Sequence, residues 1–194
     1  MAPLPSDHSQ HSTPHAERLA ATDPFADWPK DGVAATDERT TLVGFLDYQR
    51  AVLARKAAGL DDQQARMAAC PPSDLTILGM VRHMSDVERG WAQRAMMGGA
   101  PEPIYYGSAH PDGDSDGDFH PPPDATLAGA LATYWTEVGL ADRIYASASL
   151  DEIEHGVRAT YSLRWILLHL IEEYARHCGQ ADLIRQAIDG ATGD

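Results

Sequence analysis

The sequence predicts an all-α protein: an antiparallel four-helix bundle with one long crossing loop, preceded by an irregular N-terminal arm. Three observations carry this. Four stretches repeat apolar residues at helical spacing, no stretch shows convincing two-residue alternation, and clusters of Pro and Gly fall where helices have to stop. The 194 residues fit one domain, 37–194, with an appendage, 1–36. A domain of that size buries a core without disulfide staples.

Residues 1–36 are rich in Pro, Ser, Thr, Asp and Ala, which suits an irregular arm. Phe25 and Trp28 sit there between prolines, and the choice is between a piece that docks on the body and a solvent-exposed tail. His8, His11 and His15 are suggestively spaced, but an irregular arm does not hold them in a site. A first helix is expected over about 37–58, with Leu42, Phe45, Leu46, Gln49, Val52 and Leu53 at helical spacing and Gly59 ending it. A short helical turn around 61–67 follows. Pro71-Pro72-Ser73-Asp74 is a break, and Ser73 is the expected N-cap of a second helix over about 74–97. Its apolar stripe is Ile77, Met80, Met84, Val87 and Trp91, and Gly98-Gly99-Ala100-Pro101 stops it.

Residues 99–124 make a loop dense in Gly, Pro and Asp, long enough to be functional. A third helix is expected over about 125–147, with Leu127, Leu131, Tyr134, Trp135, Val138, Ile144 and Tyr145 inward. A short extended piece fits around 156–159. The fourth helix starts behind the N-cap Ser162, buries Leu163, Ile166, Leu167, Leu170, Ile171, Tyr174 and Ala181, and ends near Ile188 with Gly190 as C-cap.

Lys and Arg total 15 against 29 Asp and Glu, a formal net charge of -14. Such a surface repels phosphate backbones and anionic lipid, so neither nucleic acid nor membrane is an expected partner. No apolar run reaches the length of a membrane span, and the N-terminus lacks the basic start and apolar run of a signal peptide. A cytoplasmic location with Cys70 and Cys178 as free thiols is the expectation, although two cysteines also allow a single disulfide.

The chemistry concentrates in Glu172-Glu173-Tyr174-Ala175-Arg176-His177-Cys178-Gly179-Gln180. Glu173 and His177 stand four apart, so a helix sets them on one face about 6 Å apart along its axis. A lone histidine, His83, lies between Met80 and Val87 on the second helix. Two histidines and a carboxylate hold a divalent metal with coordination positions left open. The competing reading is ordinary: His83 as a satisfied boundary residue, Glu173 in an ion pair with Arg176 or Arg164, and His177 favoured by the helix dipole. His169 adds a choice, since it is spaced four before Glu173. His169 and His177 are about 12 Å apart along the axis, so the pair is 173/177 or 169/173, with His169 able to serve as a hydrogen-bonding neighbour of the ligands.

Asp112-Gly113-Asp114-Ser115-Asp116-Gly117 matches the first half of a calcium loop, but the twelfth position is Pro123 instead of Glu, which favours a plain acidic loop overhanging the site. Trp91, Trp135 and Trp165 suit core or pocket walls. Tyr105 and Tyr106 suit surface packing or a pocket mouth. Cys178 points about 100° around the helix from His177 and is read as a packed thiol.

Over residues 37–193 the chain resembles the DinB/YfiT-like superfamily of four-helix metalloproteins, in its actinobacterial-type branch related to mycothiol-dependent enzymes. The resemblance rests on Asp37-Glu38-Arg39-Thr40-Thr41-Leu42, Phe45-Leu46-Asp47-Tyr48-Gln49-Arg50, Gly79-Met80-Val81-Arg82-His83 with Glu88, Arg89 and Trp91, Ser162-Leu163-Arg164-Trp165, and Glu172 to His177 with Gly179, Asp182 and Arg185. It implies metal ligands at His83, Glu173 and His177, with zinc first and nickel or iron as alternatives. It implies a low-molecular-weight thiol of the mycothiol type as cosubstrate and a small electrophile as substrate. The implied reaction is S-transfer or thiol-dependent isomerisation. Metal-dependent hydrolysis, iron oxidation and a non-enzymatic metal- or ligand-binding stress protein are the alternatives. Arg164 and Arg176 are candidates for holding a carboxylate of thiol or substrate, against the simpler reading of plain ion pairs. Many members of the branch have His where this chain has Gln180, so no role is carried there. Pairing into a homodimer is a further expectation.

Overall fold

A computed structural model describes residues 37–99, 101–155 and 160–193. The expected arm over 1–36, with Phe25, Trp28, His8, His11 and His15, and the expected extended piece over 156–159 lie outside the described residues.

The described chain is all-helical, with no strand among the described residues and only an isolated antiparallel bridge between Ile153 and Ser162. Helix α1 spans Glu38–Ala57 and α2 Asp62–Ala65; α3 spans Ile77–Arg89, α4 Leu127–Ser147 and α5 Leu163–Asp189. Each start has a side chain on an otherwise orphaned backbone N–H. Asp37 accepts from Thr40 N in α1, Asp61 and Gln64 form a reciprocal capping box in α2, and Thr126 accepts from Gly129 N in α4. Ser162 caps α5 as expected, accepting from Trp165 N, and Gly190 closes it with φ 78°, a left-handed conformation that glycine reaches without a Cβ clash.

Two boundaries differ from the sequence expectation. The second long helix starts at Ile77, and its cap is Thr76, which accepts from Gly79 N, not Ser73. Ser73 is spent on a tight turn, with its N–H on the Cys70 carbonyl and its hydroxyl accepting from Leu75 N. The same helix does not stay α to its end: Gly90–Met96 is a π-helical segment. Arg89 and Gln93 both reach the buried Glu137 of α4, at 2.9 Å each, and that shared acceptor holds the wider turn. One expected inward residue also faces out, since Phe45 is 44% exposed while its neighbour Leu46 is buried.

Helix α5 packs mainly on α1, α3 mainly on α4, and α3 joins the two pairs through contacts to α1 and α5. The core at their meeting is Leu46, Leu53, Ile77, Leu78, Met80 and Met84 with Leu163, Ile166 and Leu167. A charged group lies inside it. Arg50 and Glu88, both essentially without solvent contact, make a two-pronged pair at 2.7 and 2.8 Å. Asp142 and Asp47 take the remaining guanidinium edge at 2.7 and 3.0 Å, and the Tyr174 hydroxyl donates to Glu88 at 2.7 Å. A buried ion pair is tolerated only when its spare lone pairs and protons are matched, and here they are.

Candidate metal centre

Helix α3 and the long loop after it build one wall of the site. Gly79, Arg82, His83 and Asp86 fall on one face of α3 by their spacing of three and four. The loop lies against that face. Arg82 donates to the carbonyls of Asp118 and Gly117 at 3.1 and 2.9 Å, and its guanidinium covers the Tyr105 ring at 3.8 Å. Asp86 accepts from the N–H groups of Ile104 and Tyr105 at 2.7 and 3.1 Å. The approach is close enough that a Cβ on Gly79 would lie 2.8 Å from the Phe119 carbonyl oxygen. Pinned in this way, the loop delivers two side chains to His83: the Asp118 carboxylate 2.7 Å from Nδ1, and the Phe119 ring stacked at 4.4 Å.

Helix α5 supplies the facing wall. His83, Glu173 and His177 come together, each offering one ligand atom within 4.8 Å of the others. The rings of His83 and His177 meet edge-on at 4.8 Å, and His177 Nε2 lies 3.7 Å from Glu173 Oε2. Nδ1 of His177 is hydrogen-bonded to Gln180 Oε1 at 2.8 Å. Both histidines therefore have Nδ1 engaged, by Asp118 and by Gln180, which leaves Nε2 of each as the nitrogen that could serve as a ligand. Burial, reinforced by the neighbouring His83, pulls the His177 pKa below its ordinary 6.5 and favours the neutral, ligating form.

The remaining expected residues divide between this group and the surface. Arg176 holds the other oxygen of Glu173 at 3.0 Å and also pairs with Glu172, so it steadies the carboxylate. Arg164 does not join the group: it is held by Glu38 and Asp151 at the start of α5, two acids the sequence argument did not pair with it. His169 stacks on Trp165 at 4.9 Å, meets Trp91 at 5.0 Å, and has Nδ1 3.7 Å from Glu172. His169, Glu172 and Glu173 also converge within 4.8 Å, so both pairings open in the sequence are geometrically formed. They differ in support. The first joins two helices, lies half-buried or deeper and has both imidazoles oriented; the second lies on one helix, with Glu172 60% exposed and already paired to Arg176.

Two orienting residues escaped the sequence argument. Gln180 carried a usable signal, being three residues after His177 on the same helix face. Asp118 carried none, because its contact with His83 spans 35 positions and depends on the loop's path. The acidic run 112–117 shows no group of calcium type among the described residues. Asp114 instead accepts from His120 at 2.6 Å and from Asp116 N at 2.9 Å, which lowers its own pKa and raises that of exposed His120. Cys70 and Cys178 are free, and Cys178 donates to the Gln49 carbonyl at 3.6 Å. Burial pushes the Cys178 thiol up to about 12, so it is packing and not a nucleophile.

A cavity of about 700 Å³ opens beside His83. It lies between the π-helical segment, the long loop and the connection before α5, and Trp91, Phe119 and Tyr161 are among its walls. No helix among the described residues is long and apolar enough to cross a membrane. The family model described as mycothiol-S-transferase matches residues 41–190. No curated protein matches the chain.

Proposed function

The chain belongs to the mycothiol-S-transferase family, and on that premise we propose that it is a divalent-metal-dependent transferase joining a mycothiol-type thiol to a small electrophile. The observation that carries the reading is the convergence of His83, Glu173 and His177 within 4.8 Å. That donor set fits a borderline divalent cation, zinc first, with nickel or iron as alternatives. Such a cation supplies the Lewis acidity that makes a thiol a thiolate at neutral pH.

The protein's own residues prepare the ligands. Asp118 accepts the Nδ1 proton of His83, fixing its tautomer and turning Nε2 toward α5. Gln180 does the same for His177 through its carbonyl oxygen. Arg176 fixes one oxygen of Glu173, leaving the other toward His177. Phe119 covers one face of His83 and keeps water off that side. In the transfer, the thiol sulfur forms a bond to an electrophilic carbon, the leaving group departs with its electron pair, and the thiol proton passes to solvent.

Within this reading the four long helices make one antiparallel bundle over 37–194, and the chain works in the cytoplasm as a homodimer. Size-exclusion with light scattering checks the dimer. Elemental analysis tests the centre on wild type, His83→Ala, Glu173→Ala, His177→Ala and His169→Ala. Near one transition ion per chain in wild type and in His169→Ala, with loss in the other three, supports it. A metal-free wild type after reconstitution, or loss in His169→Ala alone, rejects it and favours a binding protein without turnover.

A further inference from the structure

Building on the thiol-transfer reading, we infer that the cavity beside His83 is the electrophile subsite, and that it takes a flat, uncharged ring in preference to an anion. Its apolar side is made by Val87, Trp91, Ala95, Tyr106, Phe119 and Tyr161. Trp91 and Tyr161 meet at 71° with centroids 6.0 Å apart, forming a corner that offers a face and an edge to an aromatic guest. Phe119 both lines the cavity and stacks on His83, so a ring held there lies next to the centre at which the thiolate is generated.

The charge distribution selects against anions. Asp86, Asp116, Asp118 and Glu154 line the cavity against a single guanidinium, Arg94, which is exposed and bonded to the Pro101 carbonyl at 3.0 Å. Even with a divalent ion on His83, Glu173 and His177, these four carboxylates and Glu173 outnumber the charges of that ion and Arg94, so a carboxylate-bearing electrophile would enter a net negative field.

Gly90 gives a clean handle. It lines the cavity in helical conformation, and a Cβ there meets nothing within 4 Å, so a larger residue fills the space without backbone strain. The experiment is direct binding by calorimetry on the full-length protein, without thiol or turnover. The probes are 1,3-dinitrobenzene and 3,5-dinitrobenzoate. The neutral ring should bind at least tenfold more tightly than the benzoate. Gly90→Leu, checked as folded by circular dichroism, should weaken ring binding at least tenfold, and Asp116→Asn should narrow the gap between ring and benzoate. Benzoate binding as tightly as the ring, or Gly90→Leu leaving ring binding unchanged, overturns the subsite. Ring binding that survives while metal and thiol transfer fail overturns the reading of the centre and leaves the subsite standing. Transfer activity without ring binding does the reverse.

Discussion

Arg50 is the residue on which most of the interior polarity converges. Its guanidinium meets Glu88, Asp142 and Asp47, and Glu88 in turn meets the Tyr174 hydroxyl. Such a group is costly to break from one side, because the surviving charge stays buried without compensation. Arg50→Met should lower unfolding free energy by about 3–5 kcal/mol in chemical denaturation. Asp142→Asn, at a carboxylate 39% exposed, should cost far less. Equal losses in the two variants would mean that Glu88 finds another partner. The candidate metal-site residues follow a related logic. Tyr174 turns inward to Glu88 while its neighbour Glu173 faces His83, so one turn of α5 serves both the core network and the candidate centre.

At the scale of elements, the helix starts are set by short polar side chains, and sequence alone does not say which of two adjacent candidates is used. Ser73 and Thr76 both precede the apolar stripe of α3. Thr76 wins because its hydroxyl sits 3.0 Å from Gly79 N, while Ser73 is drawn into the preceding turn. Thr76→Ala should therefore cost about 1 kcal/mol, as a lost N-cap does. Ser73→Ala should stay within about 0.5 kcal/mol, as surface substitutions do. Thermal or urea unfolding of the pair reads the difference, and a larger loss for Ser73→Ala would reverse the assignment. The π-helical segment Gly90–Met96 was beyond any periodicity argument. Its turns begin where Arg89 and Gln93 both reach for Glu137, a partner 44 and more positions away. The consequence is local and chemical: Gly90, Trp91, Arg94 and Ala95 all line the cavity from this segment.

For the whole molecule, acid should weaken the metal-free fold and the candidate centre together. His177 is held neutral by burial and by His83, with Glu173 and Arg176 as its other charged neighbours. Its folded pKa lies below the ordinary 6.5, so the unfolded chain takes up the proton first. Stability from this group is complete above 6.5 and is lost as the pH falls toward the folded value. Metal binding follows the same direction, because the ligand has to be neutral. Asp47 works the other way: burial raises it to about 6, so its contribution is present in acid and lost as the pH rises through that value. Comparing wild type with His177→Gln at pH 7.5 and 5.5 separates the two, and the variant should lose less stability on acidification. An equal loss would assign the acid sensitivity elsewhere. The sequence by itself determined the helical class, the places of the long helices, the caps Ser162 and Gly190, and the placing of His169, Glu173 and His177 on one face, with the choice of pair left open. Those depend on residues within a few positions of one another, where spacing fixes geometry. Only the tertiary structure decided that Asp118 and Gln180 orient the two histidines, that Arg164 is drawn away by Glu38 and Asp151, and that Arg50 is buried on Glu88. Apart from Gln180, these partners are distant in the chain or compete with equally plausible neighbours. Packing, not periodicity, chooses among them, because a buried charge or donor takes whichever partner the fold brings within about 3 Å.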